Sequence, residues 1–333
     1  MRVLGIETTC DETAAAVVED GRILSNIVSS QVRLHRRYRG VVPELAARAH
    51  LQRIGQVVEA ALREAGGRPD AVAFARGPGL MGPLLVGKMA ALAVGETEGC
   101  PVIAVNHLEG HVFAAELCGR LRFPLVTLIV SGGHTDLLLC RAPGRYRLLG
   151  RTRDDAAGEA YDKVARMLGL SYPGGPVIDR LARGGDPAAV PFTRPLMPGT
   201  WDFSFAGIKT AVLYRVQGRG QPLTRRAVAD LCASFQEAVV ETLVRKTVAA
   251  AQSHGVKDIV VGGGVASNSR LRAAFTAAAS EQGLRVSIPP PVLCTDNGAM
   301  LAQAAWHRLR WGLRGGSLRC DPGLGFENWA SRA

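Results

Sequence analysis

The same succession of strands and turns occurs twice in this chain, with the two copies about 120 residues apart. In each copy two apolar runs flank a short polar turn, and a second turn leads into a third run, which predicts three consecutive strands. The predicted strands are Met1–Glu7, Ala14–Val18 and Ile23–Val28, and then Leu125–Ser131, Leu137–Arg141 and Tyr146–Arg151. Helical stretches and further strands follow each copy. Such a duplication predicts two similar α/β halves that face a cleft, with the two polar turns opposed.

Composition restricts the classes of protein to which the chain can belong. Its 333 residues, 47% of them hydrophobic, are enough for two globular units. The most apolar long stretch, Gly79–Gly95, contains Lys88 and Pro83, so no membrane segment is predicted. A strand pattern begins at the first residues, so no signal peptide is expected. Seven scattered cysteines without a Cys-x-x-Cys pair favour reduced thiols and a cytoplasmic location, and the net charge of +11 favours a polyanionic partner.

Two histidines follow a predicted buried strand, Pro101–Val105. If Asn106 caps a helix there, His107 and His111 share one helix face, and both imidazoles can reach one ion. Two imidazoles are a common beginning of a zinc or iron(II) site, although an isolated pair is also typical of surface or cap histidines. Glu109 lies on the opposite side of such a helix. The pattern therefore differs from the His-Glu-x-x-His of metalloproteases.

A third ligand is available near the end of the chain. Asp296 follows the last predicted strand at a loop-to-helix junction, and it would complete a two-histidine, one-carboxylate site with open positions for substrate. Its alternative role is to cap the helix that follows, a task that Thr295 can also perform. The pattern alone leaves both roles open.

Two loops have a composition suited to phosphate groups. The turn at 8–13 is rich in hydroxyl and acid groups, and Gly262–Gly264 leave a predicted strand just before a helix. Backbone amides in such loops can approach a phosphate or a ring closely. An ordinary hairpin turn and a packing turn are the respective alternatives.

Eight motifs occur in an order that resembles one known family. They are Gly-Ile-Glu-Thr-Thr-Cys-Asp-Glu-Thr (5–13), Gly-Val-Val-Pro-Glu-Leu-Ala (40–46), Asn-His-Leu-Glu-Gly-His (106–111), Val-Ser-Gly-Gly-His-Thr (130–135), Asp-Asp-Ala-Ala-Gly-Glu-Ala-Tyr-Asp-Lys (154–163), Tyr-Pro-Gly-Gly-Pro (172–176), Gly-Gly-Val-Ala-Ser-Asn (263–268) and Cys-Thr-Asp-Asn-Gly-Ala-Met (294–300). Together they resemble the tRNA N6-adenosine threonylcarbamoyltransferases, formerly described as O-sialoglycoprotein endopeptidases.

The resemblance implies a duplicated ribonuclease-H-like, two-lobed α/β fold with an interlobe nucleotide cleft, as in actin, Hsp70 and sugar kinases. Lobe I is expected at 1–122 and 297–333, where it would bind partners and carry the metal-ligand histidines. Lobe II is expected at 123–296, where it would bind phosphate and nucleoside. An insertion is expected around 171–222.

The resemblance also implies the reaction and the residues that perform it. The threonylcarbamoyl group of threonylcarbamoyl-adenylate is expected to pass to N6 of adenosine 37, in tRNAs that read codons beginning with A, with release of AMP. One iron(II) or zinc(II) ion is expected on His107, His111 and Asp296. The adenylate, or an ATP-type nucleotide, is expected to contact Val130, Ser131, Gly132, Gly133, His134, Asp162, Gly175, Asp179 and Asn268. Asp11 and Glu12 are expected to face the reacting centre, and the general base stays open among Asp11, Glu12 and His134.

Partners and rival activities follow from the same comparison. Besides tRNA, the resemblance implies a metal-free paralogue that forms a heterodimer, a small P-loop ATPase if the protein is bacterial, and a threonylcarbamoyl-adenylate synthase that supplies the donor. Basic stretches at Arg33–Arg39, Arg215–Arg226 and Arg308–Arg319 are candidate tRNA contacts, or solvated faces. An ATP-dependent sugar kinase and a metalloprotease are the alternative activities.

Overall fold

The structure, a computed structural model, describes residues 1–218, 223–313 and 316–330, and these contain two five-stranded sheets. The first sheet consists of β1 (Arg2–Glu7), β2 (Glu12–Glu19), β3 (Arg22–Ser30), β4 (Ala71–Gly77) and β5 (Val102–Asn106). Its order is β3-β2-β1-β4-β5. β2 runs antiparallel to both of its neighbours, β1 and β3, whereas β4 runs parallel to β1 and β5 parallel to β4.

The second sheet repeats this arrangement. It consists of β6 (Leu125–Val130), β7 (Thr135–Ala142), β8 (Arg145–Arg151), β9 (Asp258–Gly262) and β10 (Arg285–Ser287), in the order β10-β9-β6-β7-β8. β7 is antiparallel to β6, and β9 and β10 continue the sheet in parallel on the other side. The predicted duplication is therefore confirmed, strand for strand.

The helices occupy the connections between the strands. Their bounds are α1 (Val32–His35), α2 (Pro43–Ala65), α3 (Met81–Glu98), α4 (His107–Ala114), α5 (Ala157–Met167), α6 (Gly174–Ala182), α7 (Ala206–Gln217), α8 (Arg225–Ser253), α9 (Ser269–Gln282), α10 (Pro291–Cys294) and α11 (Gly298–Arg310). The predicted insertion at 171–222 contains α6 and α7, and its residues 219–222 lie outside the described residues. In the part of the chain that the structure describes, no helix has the length and apolar character needed to cross a membrane.

The chain forms two compact units. The first contains Met1–Leu121, Ala142–Tyr146 and the described residues from Val292 onward, and the second contains Arg122–Arg141 and the described part of Arg147–Pro291. The predicted lobes differ from these units at three places, since they assigned 142–146 and 292–296 to the second lobe and Arg122 to the first. For 292–296, the side-chain amide of Asn297 donates hydrogen bonds to the carbonyl oxygens of Leu293 and Thr295 and so ties this segment to the start of α11. Residues 331–333 of the predicted first lobe lie outside the described residues.

The core of the first unit forms where helices cover its central strands. Every residue of β1 from Val3 to Glu7 is buried, as are Ala71–Ala75 of β4. The helix α11 packs on β1 and β2, whereas α2 packs on β2 and β3 and α3 on β4. Central strands that are apolar at successive positions are typical of a sheet covered on both faces.

Two glycines allow α11 to approach β1 closely. A Cβ atom on Gly5 would lie 2.1 Å from the carbonyl oxygen of Gly298, and a Cβ atom on Gly298 would lie 2.4 Å from the amide nitrogen of Ala16. These distances are far below van der Waals contact, and the atoms involved belong to the backbone. Glycine is therefore required at both positions of this crossing.

We expect Gly5→Ala to lower the free energy of unfolding by about 1–3 kcal/mol, because the added methyl group pushes α11 away from the sheet. The matched control is Gly55→Ala in the exposed part of α2, where a Cβ atom meets nothing within 4 Å. That change is expected to stabilise the protein by about 0.5–1 kcal/mol, since alanine is the better helix former. Urea denaturation of both variants measures the effect, and equal stability of Gly5→Ala and the wild type would contradict the close crossing.

Candidate functional site

The helix α4 begins where β5 ends, and Asn106 caps it as predicted. The Asn106 Oδ1 atom accepts hydrogen bonds from the amides of Leu108 at 2.9 Å and Glu109 at 3.3 Å. His107 and His111 consequently share one face, with ring centroids 4.8 Å apart and ring planes at 82°. Every residue of this eight-residue helix is buried. The histidine pair therefore belongs to the interior, and the surface alternative is wrong.

Asp296 lies beside both histidines, within the same unit. Its Oδ1 atom is 3.2 Å from His111 Nε2 and 3.6 Å from His107 Nε2. One ligand atom from each of the three residues lies within 4.8 Å of the others. Ligand atoms about 2.1 Å from a tetrahedral ion are about 3.4 Å apart, so this spacing fits a single small cation.

The environment of His111 also fits a cation. Both ring nitrogens are buried, and neither has a hydrogen-bond partner within the described residues. The contact from Nε2 to Asp296 is short enough for an ion pair but lacks the direction of a hydrogen bond. Since an unsatisfied buried polar group is costly, an ion bound at Nε2 would satisfy one of these two ring nitrogens, and the ring can serve as a metal ligand.

Glu7, at the end of β1, is a site residue that the sequence motifs did not single out. Its fully buried Oε2 atom is 2.9 Å from His107 Nδ1, and its Oε1 atom accepts a hydrogen bond from the Thr9 amide at 2.5 Å. A hydrogen bond at Nδ1 leaves Nε2 of His107 directed toward Asp296, the arrangement that commonly orients metal-binding histidines. The signal in the sequence that could have identified Glu7 was a charged residue at the end of an apolar strand.

The charges around His107 are unbalanced in favour of negative groups. Burial disfavours the protonated imidazole, but the carboxylates of Glu7 and Asp296 outweigh burial and raise the pKa of His107 to about 9. The site therefore attracts positive charge, which a proton or a metal ion can supply.

Glu12, the first residue of β2, lies close enough to Asp11 and Asp296 to interact with both carboxylates. Glu12 accepts a hydrogen bond from Ser30 Oγ at 3.2 Å. Burial, followed by the charges of Asp11 and Asp296, raises the pKa of Glu12 to about 10. Without a nearby cation, the Glu12 carboxyl group therefore keeps its proton at neutral pH.

His134 and the predicted phosphate turn lie in the second unit, between β6 and β7. The turn is closed by hydrogen bonds from the Ser131 amide to the His134 carbonyl oxygen at 2.8 Å and from the His134 amide to Ser131 Oγ at 3.1 Å. Val130 is buried, whereas Gly132 and Gly133 are exposed and have open space where side chains would lie. The turn can therefore present backbone amides to an anion.

The predicted nucleoside residues belong to three helices of the second unit, with Asp162 within α5, Gly175 and Asp179 in α6, and Asn268 at the start of α9. Asp162 Oδ1 accepts a hydrogen bond from the Gly174 amide at 2.7 Å, beside Gly175. Asp179 Oδ1 accepts one from Ser269 Oγ at 2.8 Å, which brings Asp179 next to Asn268. Asn268 Oδ1 caps α9 through the Leu271 amide, and its Nδ2 atom donates to Gln236 Oε1 at 2.6 Å. Asp179 and Asn268 therefore lie together, and both also stabilise the fold.

The predicted basic stretches differ in exposure. In Arg33–Arg39, Tyr38 is exposed and the Arg37 guanidinium group lies 4.7 Å from its ring centroid, a pair that can stack on RNA bases. In Arg308–Arg319, by contrast, the Arg308 side chain is only 11% exposed and pairs with Glu109. Arg308 is therefore not available to tRNA. Residues 219–222 and 314–315 of the basic stretches lie outside the described residues.

Solved structures with the same architecture have very different sequences. Full-length HypF, in a phosphate- and nucleotide-bound form, matches with a TM-score of 0.61 and 13% identity over 92% of this chain, which spans only 55% of HypF. A ROK family glucokinase from Streptomyces griseus matches with a TM-score of 0.51 and 15% identity, over 92% of this chain and 99% of the glucokinase. These similarities support the duplicated sugar-kinase-like fold.

Sequence comparisons identify the family. A family model described as TsaD, tRNA N6-adenosine threonylcarbamoyltransferase, matches residues 22–303. The protein of that name from Symbiobacterium thermophilum is 55% identical over 97% of this chain and 96% of its own length. That from Anaeromyxobacter dehalogenans is 56% identical over 96% of this chain and 98% of its own length. The chain belongs to the tRNA N6-adenosine threonylcarbamoyltransferase family.

Proposed function

We propose that the chain forms N6-threonylcarbamoyladenosine at position 37 of tRNAs that read codons beginning with A, with a divalent ion held by His107, His111 and Asp296. The transferase activity is that of its family. The metal assignment rests on one observation: His107, His111 and Asp296 each bring one ligand atom to the same place. The two buried ring nitrogens of His111 have no hydrogen-bond partner among the described residues. Iron(II) and zinc(II) both suit this donor set.

The chemistry explains why an activated donor is needed. The lone pair of the adenine amine is delocalised into the ring, so the amine is a weak nucleophile. In threonylcarbamoyl-adenylate, the carbamoyl carbon is bonded to a phosphate oxygen of AMP. The N6 atom attacks this carbon, a C–N bond forms, the C–O bond breaks with its electron pair leaving on AMP, and N6 loses a proton. An ion held by His107, His111 and Asp296 would supply Lewis-acid stabilisation of the negative charge that develops during this attack.

Residues of the second unit are proposed to bind the adenylate. The exposed Gly132 and Gly133 suit its phosphate, with Val130 and Ser131 forming the base of the turn. Carboxylates accept hydrogen bonds from hydroxyl groups, which suits Asp162 and Asp179 to the ribose. We assign Gly175 and Asn268 to the nucleoside as well, because they lie beside these carboxylates.

The proton of N6 needs an acceptor, for which Asp11, Glu12 and His134 are the candidates. The raised pKa of Glu12 means that it can accept a proton at neutral pH only when a cation is bound nearby. Asp11 lies next to it in the first unit, and His134 lies in the turn of the second unit.

Protein partners are proposed from an exposed apolar stripe on α3. Met81, Leu85 and Met89 follow one another at intervals of four residues, and each is exposed. On the adjacent helix α2, Leu51 is also exposed. A stripe of this kind is typical of a protein–protein contact, and we assign it to the metal-free paralogue. A small P-loop ATPase and a threonylcarbamoyl-adenylate synthase complete the proposed set of partners.

We also propose that the protein acts in the cytoplasm. None of the seven cysteines, all of which lie within the described residues, forms a disulfide. Free thiols suit a reducing compartment, and tRNA is present there.

Mass spectrometry of nucleosides tests the activity. After incubation of unmodified tRNA with the protein, its partners, threonine, bicarbonate and ATP, we expect N6-threonylcarbamoyladenosine in the wild-type reaction. Omission of the protein is the control. Unmodified adenosine accompanied by phosphorylation of a simple sugar would instead favour the kinase alternative.

Removal of a ligand tests the metal assignment. We expect His111→Asn to weaken zinc(II) binding by more than about 100-fold, because one of three protein ligands is lost. His254→Asn, at the end of α8 in the second unit, is the matched control and should bind like the wild type. Competition with a chromophoric chelator gives both affinities. Equal affinities would contradict the assignment.

Glu7→Gln tests the orientation of His107. The amide keeps the shape of the side chain but removes its negative charge, so we expect about 10-fold weaker zinc(II) binding. Glu19→Gln, which alters a partly exposed ion pair with Arg2 in the same unit, serves as control. Unchanged affinity of Glu7→Gln, measured with the same chelator, would exclude an orienting role for Glu7.

A further inference from the structure

A second buried carboxylate lies on the face of α4 that points away from the histidines. Glu109 is two residues from His107 and two from His111, and it is 1% exposed. The proposed function gives it no role, and the sequence analysis used it only to exclude the metalloprotease pattern. Its four contacts nevertheless satisfy both carboxylate oxygens.

These contacts come from three separate segments of the first unit. Glu109 Oε1 accepts hydrogen bonds from the Tyr146 hydroxyl at 2.7 Å and from Trp329 Nε1 at 2.5 Å. Glu109 Oε2 accepts two from Arg308, with Nη2 at 2.7 Å and Nε at 3.3 Å. The Arg308 guanidinium group also lies 5.5 Å from the Trp329 ring centroid. The carboxylate is thus the common acceptor of an otherwise dispersed set of donors.

The segment that carries Trp329 is attached to α4 at a second point. Asn106, the residue that caps the helix, donates from Nδ2 to the Gly325 carbonyl oxygen at 2.7 Å. Asn328 Oδ1 accepts a hydrogen bond from the Tyr146 amide at 2.5 Å. Residues 325–330 therefore contact α4 at its first turn and on its rear face, and we call them the C-terminal strap.

An eight-residue helix needs such support. Isolated helices of this length are unstable, so tertiary contacts decide where α4 lies and how it is rotated. A metal site requires its ligand atoms within about 0.5 Å of the correct positions. A rotation of α4 by a few degrees would move both imidazoles together relative to Asp296.

We propose that Glu109 is a positioning residue, which fixes the rotation of α4 through Tyr146, Arg308 and the C-terminal strap and thereby sets the two histidines for metal binding. The inference rests on the proposed metal site. Glu109 itself contacts neither the ion nor the substrate.

Variants that remove single donors test this proposal. Trp329→Phe and Tyr146→Phe each keep an aromatic ring and delete one hydrogen bond to Glu109 Oε1. Glu109→Gln keeps the shape of the acceptor and deletes its charge. We expect each variant to bind zinc(II) more weakly, with about a 10-fold loss for Glu109→Gln. Since Glu109 is the shared acceptor, Trp329→Phe is expected to reduce the zinc(II) affinity by a smaller factor in the Glu109→Gln variant than in the wild type.

The matched control is Glu237→Gln in the second unit, where a carboxylate accepts two hydrogen bonds at 2.7 Å from Arg270. Circular dichroism identifies variants that remain folded, and a folded but merely destabilised protein keeps its affinity for zinc(II). Reduced affinity in Trp329→Phe and Tyr146→Phe, with wild-type affinity in Glu237→Gln, supports the proposal. Wild-type affinity in both donor variants overturns it.

A readout that needs no metal separates this inference from the proposed function. Amide hydrogen exchange in the absence of metal reports opening of α4, and we expect faster exchange at Val112 and Phe113 in Trp329→Phe than in Glu237→Gln. Failure of the wild type to bind zinc(II) refutes the metal site, whereas unchanged exchange in Trp329→Phe refutes the support of α4 by Glu109.

Discussion

The close crossing of α11 over β1 is the contact on which the arrangement of the proposed metal centre depends. Gly5 and Gly298 bring the two backbones together because neither position has room for a Cβ atom. Asp296 lies just before α11, and Asn297 ties it to the segment that precedes it. The crossing therefore determines where the carboxylate of Asp296 lies relative to the histidines of α4.

Buried carboxylates surround α4 on two sides and have different partners. Glu7 lies on the ligand side, where with Asp296 it produces a local excess of negative charge that raises the pKa of His107 to about 9. Glu109 lies on the rear side, where Arg308 balances its charge. The negative charge of Glu7 thus favours a cation at the site, whereas the negative charge of Glu109 is neutralised by Arg308. This difference is what the proposed metal site requires of one short helix, which must be firmly held and still leave its histidines available for an ion.

The two sheets contain equivalent strand–turn–strand segments, but the side chains in the two turns have different chemical properties. The turn between β1 and β2 carries Asp11 and Glu12, and the turn between β6 and β7 carries Gly132 and Gly133. Acidic side chains suit a cation, whereas exposed glycine amides suit an anion. The two halves share a strand order because the same apolar pattern was repeated. Their proposed roles differ because the turns contain different residues, and only a few residues have to differ for one turn to suit a cation and the other an anion.

Local patterns in the sequence determined much of this protein. The apolar runs specified the strands of both sheets, Asn106 specified the start of α4, and the spacing of His107 and His111 placed both rings on one face, because these features depend on neighbours within a few residues. Tertiary structure alone decided that Asp296 belongs to the first unit, that Glu7 reaches His107 and that Arg308 turns inward to Glu109. Each of these contacts joins residues about 100 to 200 positions apart, and its geometry depends on how closely helices and sheet can pack.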